Sequence, residues 1–129
     1  MLEKQVQKQI VDWLRQNNYF CFSTSIYQKN RRISAGNMKG VADIIGIFPD
    51  GTLFAIEVKK PKIFGRAQGK TTLEQIEFMQ HITARNGCAV TAMSIDCVRQ
   101  EFTAFFLRKS LANDLANRPV VNVLPPTTI

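Results

Sequence analysis

Three cysteines in 129 residues (Cys21, Cys88 and Cys97) are too few, and too irregularly spaced, for a disulfide framework or a CxxC zinc site. They read as small apolar residues of a reducing cytoplasm. No stretch approaches the roughly 18 apolar residues of a membrane span. The start, Leu2-Glu3-Lys4-Gln5, lacks the apolar core of a signal peptide. There is no nucleotide-binding loop: Gly69-Lys70-Thr71 has the right ending, but the first glycine of that motif falls on Phe64, so no nucleotide cofactor is expected. Repeats and low-complexity runs are absent. Histidine occurs once, as His81, in a polar helical setting that suits a surface residue. Acid is in the minority, ten Asp and Glu against seventeen Lys and Arg, a net charge of +7 that favours an anionic partner.

What is present suffices for one domain, 1–129. Apolar residues make up 45% of the chain, and 14.6 kDa is enough to bury a core. Leu2, Val6, Ile10, Trp13 and Leu14 form a helical stripe that ends at Asn17-Asn18, and 19–26 reads as a strand. Residues 27–40 are polar and read as a loop. Thr71 or Thr72 caps a helix to about Arg85, with Leu73, Ile76, Met79 and Ile82 inward and Asn86-Gly87 as its stop. Residues 88–94 read as a strand. Asp96 caps a last helix to about Ala116, packing through Val98, Phe102, Phe105, Leu107 and Leu111. The apolar tail 118–129 fits an edge strand or a partner contact.

Between these lie two β-rich runs, Gly40 to Phe48 and Thr52 to Lys60, joined by Pro49-Asp50-Gly51. The pattern predicts an antiparallel hairpin with Gly51 in the left-handed position. Phe48 then faces Thr52, and Asp43 faces Glu57 about 5 Å away. Lys59 shares their face by the period-two alternation of strands. Ala42, Ile44, Phe48, Phe54, Ile56 and Val58 make the other face apolar. Ile45, Ile47, Leu53 and Ala55 flank the carboxylates, so the pair reads as buried on both sides. Two carboxylates at that distance repel by about a few kcal/mol at a moderate dielectric. A divalent cation removes the conflict, so the hairpin reads as a metal site with a lysine beside it.

Asp43, thirteen intervening residues, then Glu57-Val58-Lys59 resembles the D…(D/E)xK signature of the PD-(D/E)XK nuclease superfamily. Gly40-Val41-Ala42-Asp43-Ile44-Ile45-Gly46, the exit Glu57-Val58-Lys59-Lys60-Pro61 and a helical Gln75 are similar to the VRR-NUC family within it, over about residues 3–94. Ala42 stands where the superfamily's name has proline, and the family's first-helix glutamate falls on Glu3. The resemblance implies an α/β fold with a mixed central sheet flanked by helices, the restriction-endonuclease-like core. It implies Mg²⁺, or Mn²⁺ as a substitute, on Asp43, Glu57 and the Val58 carbonyl. Water activated by the ion would attack a DNA phosphate while Lys59 orients it or stabilises the developing charge. Glu3 and Gln75 rank second in the catalytic set. Lys29, Arg31, Arg32 and Lys39 precede the carboxylate hairpin, and Lys60, Lys62, Arg66 and Lys70 follow it, bracketing the site with charge suited to a phosphate backbone. Stand-alone members of the family resemble junction resolvases, which implies a homodimer acting on branched DNA. A non-catalytic basic DNA-binding module and a sequence-specific restriction-type nuclease stay open as alternatives.

Overall fold

The computed structural model describes residues 2–24, 39–61 and 71–117. They form an α/β fold: α1 (Glu3–Gln16), β1 (Phe20–Ser23), β2 (Ile44–Ile47), β3 (Leu53–Val58), α2 (Leu73–Ala84), β4 (Cys88–Ala92) and α3 (Ile95–Ala116). The strands lie side by side in the order β1-β2-β3-β4. The first two pairings are antiparallel and the third is parallel, α2 supplying the crossover from β3 to β4. Among the described residues, no helix is long and apolar enough to cross a membrane.

Two cores sandwich this mixed sheet. On one face α1 (Val6, Ile10, Val11, Leu14) and α3 (Val98, Phe102) pack on Ile44, Phe48, Phe54, Ile56, Val58 and Val90. The rings of Phe48, Phe54 and Phe102 meet at centroid separations of 4.8 to 5.1 Å, with Tyr19 5.4 Å from Phe102. Such edge and tilted contacts suit the aromatic quadrupole. Gly46 makes room for this cluster, because a Cβ there would stand 2.0 Å from Phe54 Cζ. On the other face α2 covers Ala42 and Ala55 through Ile82, Phe78 and Met79, with Ile45, Leu53 and Ala89 beside them.

Local signals explain most boundaries. Asn18 turns left-handed at φ 63°, ending α1 as Tyr19 N–H reaches back to the Leu14 carbonyl at 2.9 Å. The hairpin closes as the Pro-Asp-Gly loop predicts. Phe48 N–H donates to the Thr52 carbonyl at 2.8 Å, Gly51 sits at φ 91°, and the partners run Ile44↔Ile56 to Ile47↔Leu53. Lys109 of α3 clasps this turn, pairing with Asp50 and donating to Thr52 Oγ1 at 2.6 Å.

Several expectations need correction. β1 is shorter than 19–26: it runs from Phe20 to Ser23, and residues 25 and 26 lie outside the described residues, as do most of the 27–40 loop and the 118–129 tail. Leu2 is the N-cap of α1 and exposed. The hairpin is buried on both sides only along β3, where α2 covers the second face. Its partner β2 leaves Ile47 42% exposed. Ala42 packs under α2 and not on the opposite face, because the chain bends at Asp43 and the alternation breaks there. Leu73 and Ile76 of α2 point to solvent, the inward residues being Phe78, Met79 and Ile82. Ser94, not Asp96, caps α3, its hydroxyl accepting Cys97 N–H at 3.2 Å. Leu107 and Leu111 are exposed. A 22-residue helix is about 33 Å long, whereas strands of four to six residues span about 13–20 Å, so half of α3 overshoots the sheet.

Candidate active site

The ladder of β2 and β3 ends at Ile44↔Ile56, and the next residues, Asp43 and Glu57, carry their carboxyls just beyond it. Asp43 continues the ladder with its side chain: Oδ2 accepts Val58 N–H at 2.8 Å. Both backbone groups of a strand residue point to the same side, so the Val58 carbonyl also lies toward Asp43. Thr24 holds the bend from β1, its N–H on the Asp43 carbonyl at 2.9 Å and its hydroxyl on the Ala42 carbonyl at 2.6 Å.

Glu57 is only 5% exposed and Lys59 6%. Gln75 joins them. Its Nε2 donates to Glu57 Oε1 at 2.8 Å, while Lys59 Nζ donates to its Oε1 at 3.3 Å. The amide orientation is set by α2 itself. Gln75 is the third residue of the helix, and its Oε1 also accepts Thr72 N–H at 3.0 Å while Thr72 Oγ1 accepts Gln75 N–H at 3.1 Å. This reciprocal capping box satisfies two helix-end donors and fixes which end of the amide faces the carboxylate. Gly40, at φ 83°, lets the incoming chain touch the same turn, for a Cβ there would meet Glu74 C at 2.3 Å and Gln75 N at 2.6 Å.

The electrostatics follow from burial. Desolvation pushes the Glu57 carboxyl up to about 8, and the charge of Asp43 adds to it against the pull of Lys59. Asp43 is also raised, first by desolvation, although the Val58 N–H and a hydrogen bond with Glu57 oppose the shift. Glu3, exposed at the start of α1, is near enough for its charge to raise both.

Of the residues expected at a site, Asp43, Glu57, Val58, Lys59 and Gln75 therefore converge, with Glu3 at their margin. Lys39 and Lys60 are exposed nearby in sequence, while Lys29, Arg31, Arg32, Lys62, Arg66 and Lys70 lie outside the described residues. His81 is exposed and paired with Arg85 on α2, away from this group. Thr91 escaped the sequence reading, which takes Thr71 or Thr72 only as a helix cap. Thr91 lies beside Glu57 through the parallel pairing of β3 with β4, and it lacked any chemical motif. With Glu57, Gln75, Ile76 and Met79, Thr91 lines an open cleft of about 540 Å³.

Two carboxylates and a carbonyl are a hard-oxygen set. Among the described residues no group of three or more His, Cys, Asp or Glu side chains could hold a metal ion. A sparse donor set is what Mg²⁺ tolerates, since it retains several waters and binds through one or two carboxylates. The donor set is what fits a cation: buried Glu57 and half-buried Asp43 stand side by side, and a divalent ion would offset the repulsion between their carboxylates. Comparison of the chain with family models, curated proteins and solved structures finds no match.

Proposed function

We propose that this chain is a Mg²⁺-dependent DNA endonuclease of the VRR-NUC type within the PD-(D/E)XK superfamily, working in the cytoplasm, where its three free cysteines stay reduced. The observation that carries the reading is the convergence of half-buried Asp43 and Gln75 with buried Glu57 and Lys59 at one end of a mixed sheet. The helix-flanked sheet, with Glu57 on β3 and Asp43 at the entry to β2, supports the restriction-endonuclease-like core. The excess of base, +7, suits a polyanion.

In this reading Asp43, Glu57 and the Val58 carbonyl hold the ion, with Mn²⁺ able to replace Mg²⁺. When bound, the ion supplies Lewis acidity and makes water a stronger nucleophile at neutral pH. The chain's residues do the rest. Gln75 holds the Glu57 oxygen and the Lys59 ammonium in one frame, so neither must reorganise as substrate arrives. Lys59 orients the attacking water or stabilises the charge that grows on the phosphoryl oxygens. Basic side chains on both flanks, Lys39 and Lys60 included, draw the DNA backbone in. A homodimer would offer the two sites that paired incision of a branched DNA requires, and cyclic dimers are the commonest soluble assembly.

The test is plasmid nicking in Mg²⁺ against EDTA, with Asp43→Asn and Glu57→Gln alongside. Each substitution should lower turnover by orders of magnitude and leave DNA affinity within a few-fold. Binding without metal-dependent nicking would make the chain a DNA-binding module. A variant keeping more than a tenth of the activity would put the site elsewhere. Light scattering and competition between a four-way junction and its duplex arms test the dimer and the branched substrate.

A further inference from the structure

Phe20 and Phe22 are left 69% and 47% exposed, next to Ile47 at 42%. Isolated surface hydrophobics are ordinary, but these three are neighbours, since Phe20 pairs with Ile47 and Phe22 with Ile45 across the first two strands. Cys21 and Ser23 alternate with them and are buried, Cys21 in the core under α1 and α3. Both rings therefore stand on the opposite face, the one α2 occupies, and α2 stops short of β1. That face also carries Glu57, which follows Ala55 by the two-residue alternation. The sheet is thus laid out in rows. Glu57 and Thr91 share the first, Phe22, Ile45, Ala55 and Ala89 the second, and Phe20, Ile47 and Leu53 the third. Successive rows are about 7 Å apart, a nucleotide-sized step.

The patch is too small to hold two copies of the chain together. The two aromatic side chains offer about 150–250 Å² each, so with Ile47 the patch exposes on the order of 300 Å², against about 800 Å² per partner in a stable interface. Its chemistry is flat and aromatic, one row from Glu57 on the same face, so a strand that runs from the carboxylates toward β1 carries its bases past it. Paired bases hide their faces within the duplex. An unpaired base presents its face to a ring. Resting on the nuclease reading above, we infer that Phe20 and Phe22 form a stacking platform for unpaired nucleobases beside the cleaved phosphate. The preferred DNA then has single-stranded nucleotides adjoining the cut.

The experiment uses the full chain in EDTA, so that nothing is hydrolysed. It compares a duplex interrupted by a short single-stranded gap carrying 2-aminopurine with the same duplex fully paired. Wild-type protein should change the fluorescence of the gapped probe by stacking. Phe20→Ala with Phe22→Ala should abolish that change and weaken gapped-DNA binding by about tenfold or more, leaving paired duplex within about twofold. Phe20→Trp with Phe22→Trp should bind like wild type, whereas the double leucine variant should behave like alanine. Full binding by the leucine variant, equal losses on both probes, or an alanine variant that turns a dimer into a monomer would overturn the platform while wild-type nicking leaves the nuclease reading intact. Wild-type protein that neither binds nor nicks DNA would remove that reading and the platform with it.

Discussion

Replacing Glu57 with glutamine should remove a pH dependence of folding that the buried carboxyl imposes on the metal-free protein. Burial, then the charge of Asp43, lift Glu57 from 4.5 to about 8 in the folded state. The folded chain therefore holds this proton more tightly than the unfolded chain does. The resulting stability is complete below pH 4.5 and is lost as pH rises through about 8. One proton of difference is worth about 1.4 kcal/mol per pH unit, so going from pH 5 to pH 7 should lower stability by about 2–3 kcal/mol. Urea slopes for small proteins are about 1–3 kcal/mol per molar, which places the midpoint about 1–2 M lower at pH 7. Urea titrations in EDTA, followed by the fluorescence of Trp13, read this directly. Glu57→Gln keeps the size and cannot ionise, so its midpoint should be much flatter over the same range. Proton and cation compete for the same oxygens, so Mg²⁺ should bind about tenfold more tightly per pH unit up to about pH 8. A wild-type midpoint independent of pH, or a glutamine variant with the wild-type slope, would refute the buried Glu57 carboxyl as its source.

Lys59→Ala should cut the nicking rate by about 10²–10³ while Mg²⁺ still raises the urea midpoint. A near-normal rate would take catalysis away from this lysine. Thr72→Ala should cost about 1 kcal/mol through the lost helix cap and lower turnover further by freeing the Gln75 amide, with Thr72→Ser restoring both. Equal turnover in the alanine and serine variants would uncouple the cap from the site. Gly46→Ala forces a Cβ to 2.0 Å from the buried Phe54 ring, and overpacking of this kind costs about 1–3 kcal/mol. An unchanged melting temperature in that variant would show that the ring can move aside.

The helices, the hairpin and its register were legible in the sequence because they depend on signals a few residues long. Pro49-Asp50-Gly51 fixes the loop, and the loop fixes which residues face each other. Asp43 opposite Glu57 followed from that, and Lys59 on the same face followed from strand alternation. Asn17-Asn18, Thr72 and Asn86-Gly87 marked helix ends for equally local reasons. Coverage was decided only by the tertiary structure. Leu73, Ile76, Leu107 and Leu111 carry an inward periodicity yet face water, because α2 is set over β3 and β4 and α3 outruns the sheet. Phe20 and Phe22 look like any strand aromatics until α2, set over β3 and β4, leaves them exposed. Gln75 reads as a surface glutamine by its own pattern, and becomes part of the site once the first turn of α2 is lowered onto Glu57, an approach that Gly40 permits by having no side chain. Local conformation answers to the nearest few residues, whereas burial and convergence depend on which surfaces of distant elements meet.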